Sequence, residues 1–148
     1  MRKGLLAIVA VVALAVPALA HHSFAMFDQT KTITWTGVAT QFVAQANHAE
    51  LHFVPLGPDG KALRDKDGKP LSWGVEMAGA AAVAQQGITV QSFPAGTVFS
   101  VHLNPLRDGG NFGSRVGAIA KCPKGKFPAA GKNCDSVDGA EILGGATF

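Results

Sequence analysis

The chain has 148 residues, of which 47% are hydrophobic and only 16% are charged. This length fits one domain, and this composition excludes a disordered or polyelectrolyte chain. The formal net charge is +3, from 13 basic and 10 acidic residues; without Arg2 and Lys3, which belong to a predicted export signal, it falls to +1. A nearly neutral domain lacks the basic surface typical of nucleic-acid binding, so we expect no nucleic-acid partner.

The start of the chain has the features of a bacterial signal peptide. Arg2 and Lys3 form a basic start, residues 5–16 are an unbroken apolar run, and Pro17 ends that run. The run is shorter than the roughly 20 apolar residues that a membrane-spanning helix needs. A small-x-small cleavage site follows at residues 18–20. These features predict export and cleavage, whereas an uncleaved membrane anchor is the alternative interpretation.

Cleavage after Ala20 would divide the chain into a signal peptide at 1–20 and a mature domain at 21–148. We expect the mature protein to reside in the periplasm and to have no membrane-spanning segment once the signal is removed. A weaker cleavage site follows Ala25, and cleavage there would also remove the two histidines with which the mature chain otherwise begins.

Hydrophobic alternation and a high content of β-branched and aromatic residues predict an all-β domain with one short helix. Strands are predicted, in chain order, at 33–43, 49–54, 71–77, 97–103 and 112–120, with a short final strand near 140–143. An alanine-rich helix is predicted at 79–86, with Gly87 at its C-cap. Gly37 lies within the first strand, where we expect a bulge or a bend.

Three strands, a helix and two further strands follow the element order of the OB-fold, a small five-stranded Greek-key barrel. A long first strand with a glycine in its middle fits such a barrel, because that strand must turn a corner. A β-sandwich is the alternative architecture, and the single helix disfavours it. Because the barrel supports many binding functions, the fold alone does not select one.

Two cysteines, Cys122 and Cys134, lie in the C-terminal part of the chain. In an exported protein such a pair is most simply a disulfide. We therefore expect a disulfide that closes the C-terminal loop 123–133, which is rich in glycine, proline and lysine. A thiolate metal site is the alternative, but the spacing differs from the short pairs typical of zinc ligands, and no histidine lies nearby in sequence.

The mature N-terminus is a candidate metal ligand. Cleavage after Ala20 would leave His21 as the first residue, followed by His22. The free amine and the ring Nδ1 of an N-terminal histidine can chelate one metal ion, and a second imidazole would complete a T-shaped copper site. The square-planar preference of Cu(II) suits these nitrogen ligands. The alternative is a frayed, solvated terminus that holds no ligand.

A second group of candidate ligands lies on the second predicted strand. His48, Glu50 and His52 alternate with apolar residues, so their side chains should project from one face, successive ones about 7 Å apart. Two imidazoles and a carboxylate so placed are a credible metal surface. The alternative is the ordinary polar face of a half-buried strand. His102, on the fourth strand, is either a further ligand or a core or edge histidine satisfied by backbone groups.

Two further pairs of residues have both a functional and a structural interpretation. Trp35 and Trp73 either form an aromatic platform for a sugar or a base, or they pack in the barrel core. Met26 and Met77 are candidate soft ligands for Cu(I). For Met77 the simpler interpretation is a core position beside Trp73 on the third strand.

The predicted mature start, Ala-His-His-Ser-Phe-Ala-Met-Phe-Asp at residues 20–28, is distinctive. It resembles the opening of a family of small exported bacterial proteins known only as a domain of unknown function. This start and a turn containing Arg-Asp-Gly are the most specific parts of the resemblance. Further positions that match the family's pattern are Gly37-Val38, Asn47-His48, Trp73 with Glu76, and Pro105-Leu106-Arg107-Asp108-Gly109.

The resemblance covers about residues 20–120. The chain has Ala46-Asn47-His48 where the family's pattern leads us to expect Asn-Pro-His. The cysteine-bearing tail after Lys121 is not associated with the family. Because the family has no assigned activity, the resemblance implies export and fold, and it implies little about chemistry.

Sequence signatures of enzymes are absent: the chain has no Gly-x-Ser-x-Gly elbow, no phosphate-binding glycine loop and no His-Glu-x-x-His. We therefore expect a non-enzymatic, periplasmic protein that binds a metal ion, copper above all. Its candidate ligands are His21, His22, His48, Glu50, His52 and His102. The alternative is a non-metal module that binds a small ligand, a glycan or a partner protein. A mononuclear copper oxidase built on His21 is the one catalytic alternative.

Overall fold

The computed structural model describes residues 22–148, with side chains from Phe24 onward, so the predicted signal peptide and His21 lie outside the described residues. The elements, in chain order, are α1 (His22–Ala25), β1 (Ile33–Ala44), β2 (His48–Pro55), β3 (Trp73–Ala78), α2 (Ala80–Ala84), β4 (Val98–Pro105), β5 (Phe112–Lys121), a 3-10 helix (Cys134–Ser136) and β6 (Glu141–Leu143). Every predicted strand is present. Within the described range, no helix has the length and apolar character needed to cross a membrane.

Five of the six strands form a closed barrel. Antiparallel pairing joins β3 to β2, β2 to β1, β1 to β4 and β4 to β5, and a short parallel pairing of β3 with β5 closes the ring. β6 pairs with the end of β5. This arrangement is a small OB-like barrel with one extra strand, and it confirms the predicted fold class.

The barrel interior is built from side chains that alternate inward along each strand. In β2, Ala49, Leu51 and Phe53 are fully buried, whereas the residues between them are partly exposed. Phe53 and Phe93 both pack edge-on against Phe99 of β4. Full burial of a large apolar side chain contributes roughly 1.5–3 kcal/mol relative to exposure, so this interior is the main source of stability.

Two strand irregularities accompany the closure of the sheet into a barrel. In β1 the register shifts at Thr40, three residues beyond the predicted position at Gly37. Gly37 has a different role: a Cβ there would overlap the Phe53 ring, so the small residue permits close packing across the core. In β5 the register shifts near Gly117, whose φ of 69° lies in the left-handed region that favours glycine.

Helix α2 is shorter than predicted because a C-terminal turn replaces its last residues. The Ile88 N–H donates to the Val83 carbonyl, and the Gly87 N–H donates to the Ala84 carbonyl, both at 3.0 Å. This is a Schellman motif, and Gly87 has the positive φ of 80° that the motif requires. Val83 and Ile88 are fully buried in the core cluster, so the turn holds α2 against the barrel.

The tail after β5 packs on the outer surface of the barrel. Cys122 and Cys134 form the predicted disulfide, and both are buried in a second apolar cluster with Val98 and Ala120. The Cys134 N–H donates to the Oγ of Ser100, which is fully buried. The tail therefore covers part of the outer face of β4, and the first residues of that strand are buried on both sides.

Removing the disulfide should destabilise the protein. Because the disulfide restricts the unfolded chain between cysteines 12 positions apart, we expect the variant Cys122→Ala/Cys134→Ala to lose about 3 kcal/mol of unfolding free energy. Urea denaturation followed by circular dichroism would measure the loss. Thiol labelling of the unfolded, unreduced wild-type protein is the control and should give no adduct. A loss well below about 1 kcal/mol would contradict the stabilising role.

Candidate functional site

The outer face of β2 carries three of the predicted ligands. His48, Glu50 and His52 are partly exposed and alternate with fully buried inward residues, as the sequence pattern predicts. His52 Nε2 lies 2.9 Å from Glu50 Oε2, so these two side chains pair along the strand. His48 has a different partner, which comes from the neighbouring strand.

Glu76 of β3 joins this face through the β2–β3 pairing. Glu50 lies directly opposite Glu76 in the register, and His48 lies opposite Ala78. His48 Nδ1 is 3.1 Å from Glu76 Oε1, which is a diagonal contact between the two strands. The face therefore holds two imidazole–carboxylate pairs, His48–Glu76 and His52–Glu50, and the two carboxylates are cross-strand neighbours.

The pKa of Glu76 reflects these surroundings. Partial burial is the largest influence and raises the pKa of the carboxyl; His48 lowers it, and the Glu50 charge raises it. The net effect is an upward pKa shift, so the surroundings disfavour the negative charge of Glu76. Like charges directly opposite each other on a sheet are also destabilising. A cation bound at this face would relieve both effects.

An N-terminal arm, residues 22–28, packs along the turn between β4 and β5. The Asp28 N–H donates to the last carbonyl of β4 at 2.8 Å, and the Arg107 N–H donates to the Met26 carbonyl at 3.0 Å. The Arg107 side chain also contributes, because its Nε donates to the Ala25 carbonyl at 3.1 Å. Hydrogen bonds at three of the last four arm residues therefore hold this segment on the barrel.

Phe27 anchors the same arm by burial. It is 1% exposed, it forms a β-bridge with Leu106, and its ring stacks on that of Phe112 with 6.3 Å between centroids. The arm and the turn around Arg107 are the segments on which the family resemblance seen in the sequence chiefly rests. Their contact gives both motifs a structural role, because one motif positions the other.

The arm leads into a groove beside the His48–Glu76 pair. The groove has a volume of about 320 Å³, and its lining includes Phe24, Asn47, His48, Glu76, Ser114 and Arg115. The Ala80 N–H donates to the Gln45 carbonyl at 2.9 Å, so the turn before β2 is held against the start of α2. Gly79 permits this approach, because a Cβ there would overlap the Ala46 carbonyl.

Arg115 lines the groove, but its guanidinium contacts the tail. Nη2 donates to Gln86 Oε1 at 2.6 Å. Nη1 is buried with no hydrogen-bond partner among the described residues, and it lies against Gly144, where a Cβ would overlap it. Burial lowers the pKa of Arg115. Arg115 therefore links the turn after α2 to the tail.

His102 lies apart from the β2 face, because β1 separates its strand from β2. Its Nδ1 is 2.7 Å from Thr34 Oγ1. Its ring stacks on Phe148 of the tail, with 4.1 Å between centroids. The partners of His102 are therefore a hydroxyl group and an aromatic ring, and the fold does not bring it together with His48, Glu50 or His52.

The aromatic and sulfur-containing candidates differ in their exposure to solvent. Trp35 and Trp73 pack against the core cluster with 5.3 Å between their ring centroids, and both are partly buried. Met77 is 4% exposed and belongs to the core. Met26 lies in the arm and is 47% exposed, so it is the accessible sulfur of the two.

The two imidazole–carboxylate pairs do not complete a metal site by themselves. Among the side chains described, no group of three or more His, Cys, Asp or Glu residues is arranged to hold a metal ion. The predicted chelate at His21 lies outside the described residues, and of His22 only the backbone is described. A metal at this face therefore needs a ligand from another segment, and the arm is a segment that lines the same groove.

Glu76, Asn47 and Phe24 line the groove but were not among the predicted site residues. Strand alternation could have placed Glu76 on the outer face, because Trp73 and Met77 of the same strand point inward. The contact between Glu76 and His48 depends on the register between two strands separated by a long loop, and no local pattern specifies that register.

Comparison with known proteins gives one match. A family model described as "Family of unknown function (DUF6152)" matches residues 9–115, which is most of the chain. No curated protein and no solved structure matches it. The matched range includes the arm, the outer face of β2 and the turn around Arg107, and it ends before the disulfide.

Asp28, at the junction of the arm and β1, makes the stability of the protein depend on pH. Its carboxylate accepts hydrogen bonds from the hydroxyl and the N–H of Thr30 and pairs with Lys31 at 3.2 Å. These contacts, the Thr30 hydroxyl foremost, lower the pKa of Asp28 from 3.8 to about 2. The resulting stabilisation is therefore fully present above the unfolded-state pKa and is lost as the pH falls through about 2.

We expect Asp28→Asn to destabilise the protein at neutral pH, and to match the wild type at a pH near the folded-state value of about 2. Urea denaturation at a series of pH values would measure the difference. The matched control is Asp67→Asn, which removes the same charge from an exposed turn away from the arm. A difference that stays constant over the whole pH range would contradict the prediction.

Proposed function

The chain belongs to DUF6152, a family of unknown function, and we propose that it is an exported periplasmic protein that binds copper through His21 and His48. Cleavage of the signal peptide after Ala20 would supply the free amine of His21. The observation that carries the proposal is a shared groove: Phe24 of the arm lines the same cavity as His48 and Glu76.

The short distance along the chain from Phe24 back to His21 limits where the mature terminus can lie. Three residues of fully extended chain span at most about 11 Å. The hydrogen bonds at residues 25–28 hold the arm in place beyond Phe24. A shared copper ion would therefore require the His21 nitrogens to reach Nε2 of His48 within this span.

The contact with Glu76 prepares His48 for metal binding. A neutral imidazole whose Nδ1–H donates to a carboxylate presents the lone pair of Nε2 to a metal. Because the 3.1 Å contact joins Glu76 to Nδ1, Nε2 is the nitrogen that remains for coordination. Carboxylate partners of this kind fix the orientation of a ligand histidine and increase its basicity.

Copper fits this set of donors. The His21 amine, the His21 ring and the His48 ring would supply three nitrogen donors, which suit Cu(II). The metal charge would also relieve the repulsion between the two cross-strand carboxylates of this face. The remaining predicted ligands near this face, which would take secondary positions, are His22, Glu50 and His52.

The groove supports a second candidate function, the binding of a small ligand, a glycan or a partner protein without metal. A cavity of about 320 Å³ is at the lower end of the size range of small-molecule sites. It also lies beside β2 and β3, the strands whose face OB-folds use for ligand recognition. Neither proposal includes a catalytic reaction.

Titration of the mature protein with Cu(II) tests the copper site. One glycine added before His21 moves the free amine away from the ring and leaves every imidazole in place. We expect this extension to remove most of the affinity. His48→Ala should weaken binding less than the extension does, and Glu76→Ala should weaken it about tenfold, a loss typical of residues that orient a ligand histidine. Calorimetry gives the affinities, and electron paramagnetic resonance reports the nitrogen ligands.

Two histidine variants are matched controls for His48→Ala. His52→Ala removes an imidazole from the same strand face, and His102→Ala removes one that is stacked on the tail. Both should change the affinity less than His48→Ala. If the extended and native proteins bind Cu(II) with equal affinity, the prediction that the N-terminus chelates the metal is wrong. If both bind Cu(II) no more tightly than an unstructured histidine-containing peptide, the metal function is wrong and the small-ligand function takes its place.

The copper affinity should depend steeply on pH. Metal binding requires a neutral amine and neutral imidazoles, whose ordinary pKa values are about 8 and about 6.5. Below about pH 6 protons compete for all three nitrogens, so the affinity should fall with more than one proton released for each metal bound. Calorimetry in buffers of different ionisation enthalpy counts those protons. Release of no protons at any pH would contradict the proposed ligands.

A further inference from the structure

The tail contains a loop whose charged residues are all basic. This basic loop, residues 123–133, is closed by the Cys122–Cys134 disulfide and contains three lysines and no acidic residue. Its lysines, all exposed, are Lys124, Lys126 and Lys132. Among the described residues, the lysines that form ion pairs lie elsewhere in the chain. Within the loop, Lys126 Nζ donates to the Asp138 carbonyl at 3.3 Å, so the three positive charges have no carboxylate partner in the described part of the chain.

Phe127 lies in the middle of the basic loop with its side chain in solvent. It is 55% exposed, which is the largest value among the exposed large apolar side chains of the described residues. Phe53 and Phe99 of the barrel, by contrast, have no exposed surface. An exposed aromatic ring in a loop that carries three lysines is a feature that the core and the groove do not explain.

The basic loop is held in its conformation from inside and from both ends. The Lys126 N–H donates to the Pro123 carbonyl at 3.0 Å, and the Lys132 N–H donates to the Ala129 carbonyl at 2.9 Å. At the ends, the N–H groups of both cysteines donate to β4. The exposure of Phe127 is therefore built into the loop, and little conformational entropy would be lost when a partner binds.

We propose that the basic loop docks the protein on a membrane surface that contains anionic phospholipid, with Phe127 inserted below the headgroups. Each lysine near such a surface strengthens binding about fivefold. Amphipathic protein surfaces that bind membranes in this way combine basic residues with aromatic ones. The proposal is independent of the copper site, because no residue of the basic loop lines the groove.

The combination of charge and aromatic character favours lipid over other anionic partners. Nucleic-acid sites are typically extended basic stripes on strongly basic domains, whereas here the mature charge is close to neutral. An acidic protein would satisfy the lysines and leave the ring of Phe127 without an apolar environment. The boundary between headgroups and acyl chains offers both a negative surface and an apolar layer.

The position of the basic loop leaves the groove accessible when the protein is docked. Phe127 lines a small crevice together with Leu56, which directly follows the end of β2 at Pro55. His48 is at the opposite end of the same strand. At about 3.3 Å per residue, the strand separates the two features by roughly 23 Å.

Sedimentation with phospholipid vesicles tests the proposal on the mature protein. Vesicles of phosphatidylcholine alone are compared with vesicles of equal parts phosphatidylcholine and phosphatidylglycerol. We expect binding to the mixed vesicles only, weakened about fivefold for each lysine replaced in Lys124→Gln and Lys126→Gln. Phe127→Ala should weaken binding about tenfold, the effect of removing an apolar side chain of this size from a lipid interface.

Matched controls come from elsewhere on the surface. Lys66→Gln/Lys69→Gln removes the same charge from an exposed segment that also contains acidic residues, and Phe24→Ala removes a phenylalanine of similar exposure, 52%, from the arm. Both variants should bind vesicles as the wild type does. Phe127→Trp should retain binding and add a tryptophan emission that shifts to the blue on mixed vesicles. Circular dichroism checks that each variant is folded.

Several outcomes would overturn the proposal. They are equal binding to both kinds of vesicle, equal losses in the control variants, and emission from Phe127→Trp that does not change with lipid. Binding to mixed vesicles that requires the lysines but not Phe127 would show electrostatic attraction alone and would overturn the insertion of Phe127. Tighter binding to duplex DNA than to mixed vesicles would indicate a nucleic-acid site. Loss of Cu(II) binding in the titration above would leave the vesicle result unaffected.

Discussion

Closure of the barrel through the short β3–β5 pairing is the contact on which the other features of the structure depend. Only three residue pairs form it, and two of its positions require glycine. A Cβ at Gly74 would overlap the Phe112 ring, and a Cβ at Gly113 would overlap the Leu103 side chain. Because protein interiors are closely packed and adapt poorly to added volume, a larger residue at either position would push the strands apart and expose the core.

The same pairing assembles the candidate site. It places Glu76 of β3 beside Ser114 of β5, so the outer face of β2 and β3 adjoins the strand that follows the Arg107 turn. That turn holds the arm, and the arm brings Phe24 to the groove beside His48. Each part of the site therefore depends on the one before it: the strand pairing positions the turn, and the turn positions the arm. An open barrel would lose the site even though every candidate ligand remained in the chain.

Local patterns were sufficient to predict the strands, the face of β2 and the glycine of the turn that follows α2. Alternation alone places His48, Glu50 and His52 outward, because strand geometry allows only two directions. Gly87 ends α2 because a Schellman motif needs a positive φ, which is a property of one residue and its neighbours. The disulfide followed from the number of cysteines and the predicted compartment.

The features that sequence analysis missed are all long-range. The partner of His48 is set by the register with β3, across a loop of 17 residues, from 56 to 72. The shift in β1 falls at Thr40, whereas Gly37 packs against Phe53, a contact between two strands. Arg107 has no local signal for its bond to the arm, since its acceptor is a carbonyl 82 positions earlier in the chain.

Coverage of the barrel's outer surface is what distinguishes histidines that the sequence presents as equivalent. The tail buries Ser100 and stacks Phe148 on the ring of His102, which stays partly exposed. His48 is also partly exposed, but it borders the groove and has a carboxylate on Nδ1. Space beside the ring for a second ligand therefore favours His48 over His102 as a metal ligand. The tail thus acts twice: it covers one face of the His102 ring, and it exposes Phe127 and its lysines at the opposite end of β2 from His48.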